Sequence, residues 1–218
     1  MSDIINLSKG QVINLSKMPS IDLSKGGRGL HKVVVGLGWD PVSEMPNNDQ
    51  KKGFFAKLLG SASISNAPDI DCDAFALRLT NGLIQSDDDV VYFGHLHTQD
   101  NSIRHTGDNL TGDGDGDDET ININLDEVKS DSVLIAVNIY RGKAKNQHFG
   151  MLQNAYVRIV DSSTNQELCR YTLDDKYSNY VTVIFGELCK YNNEWSFTAK
   201  GEAVNAGSIS EVVRMYDK

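Results

Sequence analysis

The chain has 218 residues, of which 39% are hydrophobic and 23% charged, the composition of an ordinary globular protein with one sizeable core. Its net charge of −9 argues against a protein that binds nucleic acid by bulk electrostatics, and its apolar runs are too short to cross a bilayer. Three cysteines without Cys-x-x-Cys spacing, and a polar N-terminus without a secretory pattern, predict a cytoplasmic protein. We therefore expect one domain over residues 1–218.

The first predicted elements are short strands near the N-terminus. INLSK at 5–9, INLSK at 13–17 and IDLSK at 21–25 repeat every eight residues, and their apolar residues alternate. Two of the copies are followed by glycine, which is typical of turns. The pattern predicts short strands joined by turns, because the period is too short and the copies too few for a solenoid.

The sequence predicts mainly further short strands in the rest of the chain. Segments rich in β-branched and aromatic residues lie at 32–39, 73–79, 90–94, 120–125, 132–140, 155–161, 180–188 and 194–204. Helix is predicted only at 51–60 and 208–216, where Ser208 or Ser210 would cap the helix. The predicted fold class is all-β, an antiparallel β-sandwich with a few short peripheral helices.

A polar stretch with proline and asparagine at 43–68 predicts a mobile insert on this sandwich. Within it, lysines at 51, 52 and 57 flank phenylalanines and leucines, a pattern that suits docking on an anionic membrane surface or in a partner groove through 51–59. A short helix packed on the protein's own sandwich is at least as well supported, because nine residues bury little surface. Peripheral attachment to the inner face of the membrane stays an open alternative.

The run GDNLTGDGDGDDE at 107–119 carries the strongest chemical signal. Six acids and no base lie between 108 and 119, and at that density they repel one another unless a cation lies among them. Oxygen ligands crowded on a glycine-rich loop suit Ca²⁺ better than Mg²⁺. An EF-hand is excluded, because its sixth position would be Asp118 and its twelfth Asn124, and a strand-like segment follows.

Other candidate chemistries are weaker. His95 and His97 share one strand face and could hold a transition metal, but a solvated face is favoured; His31, His105 and His148 have no partner at ligand spacing. Cys72 lies between two aspartates, so its thiol pKa should be raised and a reactive thiolate is disfavoured. Nucleophile-elbow, P-loop and dinucleotide-binding motifs are absent, so we expect no enzymatic activity and no catalytic residues.

The acidic run followed by TININL resembles the signature loop of the TerD (tellurium resistance) family. Further blocks follow in the family's order: INLSKGQVINLSK near the N-terminus, VVVGLGWDP at 33–41, IDCDAFAL at 70–77, the segment 140–161 and the segment 184–203. The resemblance covers nearly the whole chain. It implies a calcium-binding β-sandwich associated with resistance to tellurite and other chemical or phage stress, without established catalytic residues.

Carried over by position, the family's Asp-Leu-Asp motif falls on Asp71-Cys72-Asp73, and its acidic loop falls on 108–119. The metal ligands that the resemblance implies are Asp71, Asp73, Asp108, Asn109, Thr111, Gly112, Asp113, Asp115, Gly116, Asp117, Asp118 and Glu119. Asp71 and Asp73 would project from the same face of a strand and complete the site. So many acids would leave a single ion with uncompensated charge, so we expect two neighbouring Ca²⁺ ions.

Two functions remain open at this stage. The first is a calcium-binding, non-enzymatic scaffold or interaction module of a cytoplasmic stress response, with other stress-response or membrane-associated proteins as partners. The second is calcium-assisted binding or turnover of an anionic small molecule such as a phosphate or a nucleotide. An open coordination position on the metal would distinguish them.

Overall fold

The computed structural model describes residues 13–14, 20–22, 30–41, 70–110, 116–173 and 177–217. The strands are β1 Ile13–Asn14, β2 Ser20–Asp22, β3 Lys32–Pro41, β4 Cys72–Leu79, β5 Val90–Val91, β6 Ile103–His105, β7 Glu119–Asn124, β8 Ser132–Ile139, β9 Leu152–Asp161, β10 Gln166–Thr172, β11 Thr182–Tyr191 and β12 Glu194–Ala203. Short α-helices span Gly142–Lys145 and Ile209–Val213, and single 3₁₀ turns span Asp87–Asp89 and Phe149–Met151.

The described strands form two six-stranded sheets. One sheet has the order β1-β10-β9-β3-β7-β6 and the other β2-β12-β11-β8-β4-β5. Neighbouring strands are antiparallel, except that β1 pairs with β10 in parallel. The predicted antiparallel β-sandwich is therefore confirmed.

The main core lies between the two sheets. Alternate residues of β3, such as Val33, Val35 and Leu37, face alternate residues of β8, such as Ile135 and Val137. The other face of β8 is also buried, because Leu134 and Ala136 pack in a second cluster with Val212 of the C-terminal helix. A strand that is buried on both faces has apolar residues at successive positions rather than at alternate ones. This explains the sequence SVLIAV at 132–137.

The C-terminal helix begins as predicted. Ser208 is its N-cap, and its Oγ accepts a hydrogen bond from the backbone N–H of Glu211 at 3.3 Å. The helix predicted at 51–60 and the insert predicted at 43–68 lie outside the described residues. Of the short strands predicted near the N-terminus, those at the second and third repeats are confirmed by β1 and β2, which belong to different sheets, and the first repeat at 5–9 lies outside the described residues. The sequence pattern did not predict β6 and β10.

The strand register defines two ends of the sandwich. At one end, called the acidic end here, Cys72 pairs with Ile139 and Leu37 pairs with Glu119. At the opposite end, Lys32 pairs with Asn124 and Ser132 pairs with Cys189. Chain reversals at the acidic end therefore bring the start of β4, the end of β8 and the loop before β7 together, although they are far apart in the sequence.

Candidate metal centre

Three aspartates meet at the acidic end. Asp71 immediately precedes β4, Asp73 is its second residue, and Asp108 belongs to the loop between β6 and β7. Each contributes a carboxylate oxygen to a group in which these atoms all lie within 4.8 Å of one another. Asp71 and Asp73 are buried, with relative exposures of 9% and 1%, whereas Asp108 is exposed. The three define the candidate metal centre, with a buried floor and one open side.

The buried oxygens of this centre lack donors among the described residues. Both carboxylate oxygens of Asp73 and the Oδ1 atom of Asp71 are inaccessible to solvent and accept no hydrogen bond from that part of the chain. Buried polar atoms are normally hydrogen-bonded, because desolvating a charged oxygen without compensation is costly. A cation with oxygen ligands would satisfy all three atoms.

The electrostatics of the centre favour protons when no cation is bound. Burial raises the pKa of Asp71 to about 6, and the negative charge of Asp108 adds to the effect. Burial also raises the pKa of Asp73 to about 8, with further contributions from Asp71, Glu119 and Asp108. Protons and a metal ion therefore compete for the same oxygens.

Glu119 is the hydrogen-bonded support of the centre. It is 1% exposed and starts β7 in one sheet, yet its Oε2 accepts the backbone N–H of Ala74 in the other sheet at 2.7 Å. Its Oε1 accepts the N–H of Asn109 at 3.3 Å. One carboxylate thus joins the strand that carries Asp73 to the loop that carries Asp108, so the geometry of the centre depends on Glu119.

His105 lies against Glu119, although its buried Nε2 forms no hydrogen bond with the described residues. Its ring is buried, its Nδ1 accepts the N–H of Gly107 at 3.0 Å, and its Nε2 lies 3.4 Å from Oε2 of Glu119. A neutral imidazole with that Nδ1 acceptor carries its proton on Nε2, which faces the carboxylate. Sequence spacing gave His105 no partner, because Glu119 reaches it only through the pairing of β6 with β7.

The acids before Glu119 anchor the loop to the sheet of β3. Oδ2 of Asp118 accepts the N–H of Trp39 at 2.9 Å, and Oδ1 of Asp118 accepts Nδ2 of Asn109 at 3.0 Å. Asp117 forms a bidentate ion pair with Arg158. Its Oδ1 lies 2.8 Å from Nε of Arg158, and its Oδ2 lies 2.9 Å from Nη2. The end of the acidic loop is therefore held by protein donors.

Two glycines of the GLGW segment make room for this anchor. A Cβ atom at Gly36 would lie 2.2 Å from Oδ2 of Asp117, and one at Gly38 would lie 2.6 Å from the ring of Tyr156. The hydroxyl of Tyr156 donates to the Gly116 carbonyl at 2.7 Å. Any larger residue at either glycine would push the loop or its anchors away from β3.

The structure thus divides the predicted ligands into groups. It brings together Asp71, Asp73 and Asp108, and it directs Asp117, Asp118 and Glu119 to protein donors, with Asn109 bridging the last two. Gly116 turns the backbone at a φ of 108°. Thr111, Gly112, Asp113 and Asp115 lie outside the described residues. Arg158 and Tyr156 carried no sequence signal, because each acts on the loop across about 40 residues of chain.

The alternative metal and thiol chemistries gain no support from the described residues. Nδ1 of His95 is 2.7 Å from the Val90 carbonyl and Nδ1 of His97 is 3.1 Å from that of Thr98, and neither belongs to a metal-ligating group in these ranges. Burial raises the pKa of the Cys72 thiol well above its ordinary value, and Asp73 and Asp71 raise it further, as predicted. In the part of the chain that the structure describes, no helix combines the length and apolarity needed to cross a membrane.

Comparison with known proteins identifies the family. The family model described as TerD domain matches residues 5–216. Stress response protein SCP2 of Bacillus subtilis (strain 168) is 44% identical over 214 residues, which cover 97% of this chain and 98% of that protein. Tellurium resistance protein TerD of Serratia marcescens is 36% identical over 215 residues, covering 97% and 96%. General stress protein 16U of Bacillus subtilis (strain 168) is 37% identical over 205 residues, covering 93% and 92%.

Solved structures agree on the fold. A crystal structure of a homologue of telluride resistance protein (TerD) from Streptomyces coelicolor A3(2) superposes with a TM-score of 0.63 at 20% identity, covering 87% of this chain and 99% of that one. At this identity the likeness concerns the fold alone. The family model and the relatives, which extend over nearly the full chain, show that this protein belongs to the TerD family.

Proposed function

We propose that this protein is a calcium-binding, non-enzymatic module of a cytoplasmic stress response. The observation that carries the proposal is the centre of Asp71, Asp73 and Asp108, in which buried carboxylate oxygens have no donor among the residues that the structure describes. Burial makes this arrangement unfavourable unless a proton or a cation neutralises it. A cation with affinity for carboxylates would cross-link β4 to the loop at this centre.

Calcium fits this centre better than the other common metals. Ca²⁺ takes six to eight oxygens at about 2.3–2.6 Å in a flexible geometry, which suits a group of three carboxylates beside a glycine-rich acidic loop. Mg²⁺ binds at about 2.0–2.1 Å, demands an octahedron and keeps its waters. Zinc is disfavoured because the group contains only carboxylates, without nitrogen or sulfur ligands.

Two ions are proposed because the loop carries more acid than one ion can use. Asp108 lies on the exposed side of the centre and continues into the segment with Asp113 and Asp115. A second ion that shares Asp108 with the first would compensate those charges.

The names of the relatives, which are stress response and tellurium resistance proteins, support a stress role. We propose a scaffold or interaction role with other stress-response or membrane-associated proteins, because no catalytic motif accompanies the centre.

The open side of the centre supports a second candidate function. Because Asp108 is exposed while Asp73 is buried, a bound ion would face solvent on one side. A water at that position could be replaced by an oxygen of a phosphate or nucleotide. This candidate predicts that the calcium-loaded protein, but not the chelated protein, binds such an anion.

Calorimetric titration of chelator-treated protein with CaCl₂ tests the proposed function. We expect uptake of two Ca²⁺ per chain, and we expect Asp73→Asn or Asp108→Asn to abolish binding at one site or more, because each removes a charged ligand oxygen. Glu127→Gln, which removes one acid from the exposed turn after β7, is the matched control and should titrate like the wild type.

The proposal fails if the wild type takes up no calcium at millimolar concentration, or if both aspartate variants titrate like the control. A second titration of the loaded protein with inorganic phosphate or ADP addresses the alternative. Heat of binding that disappears with chelator would favour anion binding, and no heat would favour the scaffold role.

A further inference from the structure

A second surface at the acidic end combines exposed bases with aromatic rings. It consists of Phe93, Tyr140, Arg141, Lys143, Lys145 and Tyr180, and it is called the basic-aromatic patch here. Three of its residues are bases within the five positions 141–145, where there is no acid, in a chain of net charge −9. Tyr140 is 42% exposed and Tyr180 is 39% exposed, high values for tyrosines, whose rings are mostly buried in folded proteins.

The patch is built by the connection that follows β8. Tyr140 packs edge-to-face on Phe93 with ring centroids 6.1 Å apart, and Nζ of Lys145 lies 5.6 Å from the centroid of the Tyr140 ring. The backbone N–H of Phe149 donates to the Tyr180 carbonyl at 3.0 Å, which places the second tyrosine beside the same connection. The rings of Phe93 and Tyr140 and the ammonium group of Lys145 therefore form one cluster, and the backbone of Tyr180 pairs with the same connection.

The bases of the patch are not used in ion pairs within the described residues. Arg141, Lys143 and Lys145 are exposed, and none of them pairs with an acid in those ranges. Nζ of Lys143 donates to the Asn205 carbonyl at 3.1 Å, which holds the side chain without an ion pair to a carboxylate in those ranges. Cations held in this way are available to an external anion.

The patch adjoins the metal centre. The N–H of Tyr140 donates to the Asp71 carbonyl at 2.8 Å, and the positive charge of Lys145 acts to lower the pKa of both Asp71 and Asp73. When the centre holds no ion, its carboxylates oppose the bases beside them. Each bound Ca²⁺ would add two positive charges, so the carboxylates of the centre would be largely neutralised and would no longer oppose the bases.

We propose that the basic-aromatic patch docks the protein on an anionic phospholipid surface, and that calcium strengthens this docking. Lysines and arginines beside exposed tyrosines suit the lipid interface, where rings enter the headgroup layer and bases bind anionic headgroups. A nucleic acid would require a longer basic track than three residues, because its affinity comes from many phosphate contacts. The calcium dependence, but not the patch itself, rests on the proposed function.

Vesicle sedimentation of the full chain tests this inference. The probes are vesicles of phosphatidylcholine alone and vesicles with about one third phosphatidylglycerol, each with calcium and with chelator. We expect binding to the anionic vesicles only, stronger with calcium. Each base near the surface contributes about fivefold, so Lys143→Gln/Lys145→Gln should weaken binding about 25-fold. Tyr140→Ala should weaken it as well, because an aromatic ring no longer enters the interface.

Matched controls come from the opposite end of the sandwich. Lys32→Gln/Lys129→Gln removes two exposed lysines there, and Tyr191→Ala removes a tyrosine that is 76% exposed; both should bind vesicles like the wild type. Patch variants with unchanged vesicle binding, or equal binding to both kinds of vesicle, overturn the inference. Binding to an oligonucleotide that the patch variants lose, without vesicle binding, would overturn it in favour of nucleic acid.

Calorimetry on the same preparations separates the two proposals. If calcium binds and vesicles do not, the docking inference fails while the proposed function stands. If calcium does not bind and anionic vesicles do, with the patch variants impaired, the patch stands and the calcium proposal fails.

Discussion

The calcium-free protein is expected to lose stability as the pH rises from about 4 to about 8, and saturating calcium is expected to remove most of that loss. In the unfolded chain an aspartate has a pKa of about 3.9. In the folded chain burial raises the pKa of Asp71 to about 6 and that of Asp73 to about 8. Between these values the folded state holds more protons, so the free energy of unfolding falls with rising pH. Each group contributes up to about 1.4 kcal/mol per pH unit.

Calcium removes this pH dependence at the centre. A bound ion requires the deprotonated carboxylates, so the protons that the folded state would keep are released on binding. Urea unfolding at several pH values, in chelator and in calcium, measures both slopes. Equal slopes in the two conditions would show that the carboxylates of Asp71 and Asp73 do not bind calcium.

Asp73→Asn is expected to raise the stability of the calcium-free protein and to reduce the stability that calcium adds. At about pH 8.5 in chelator, the variant should be more stable than the wild type by about 1–3 kcal/mol, because it removes a buried charge that accepts no hydrogen bond from the described residues. With calcium the order should reverse, since the wild type gains about 2.7 kcal/mol at a hundredfold excess over Kd and the variant gains much less.

Chemical denaturation with and without calcium measures this reversal in the order of stability. Glu127→Gln is the control and should gain as much stability from calcium as the wild type does. A chelated Asp73→Asn variant that is less stable than the wild type and still responds fully to calcium would assign Asp73 a structural role. Asp71→Asn provides an independent check, because Asp71 is also buried and has one oxygen without a donor.

The sequence predicts the β-sandwich because most strands carry unbroken or alternating apolar residues, as β8 does. It misses β6, which has only three residues, and β10, where an irregularity between Glu167 and Cys169 breaks the alternation of side chains. Both strands exist because neighbours pair with them. Their local sequence alone carries too little signal.

The candidate centre could be predicted only in part, for a comparable reason. The spacing of Asp71 and Asp73 placed both on one side of a strand, and the family resemblance added Asp108. The resemblance could not show that Asp117 and Glu119 accept hydrogen bonds from the protein itself. Their partners, Arg158 and the N–H of Ala74, are 41 and 45 residues away in the sequence. That distinction depends on the packing of the two sheets at the acidic end.

Calcium binding at this centre would act on the whole fold, because Glu119 joins both sheets beside it. Its hydrogen bonds reach Ala74 of β4 and Asn109 of the loop, so an ion on Asp73 and Asp108 would tighten the same connection. The stabilisation should therefore extend beyond the loop.

A crystal structure of the calcium-bound protein, with the ions located by their anomalous scattering, tests the central claim most directly. We predict an ion at about 2.3–2.6 Å from carboxylate oxygens of Asp71, Asp73 and Asp108, with Asp117 still paired to Arg158. Calcium bound elsewhere on the chain, with these three aspartates holding no ion, would contradict the account.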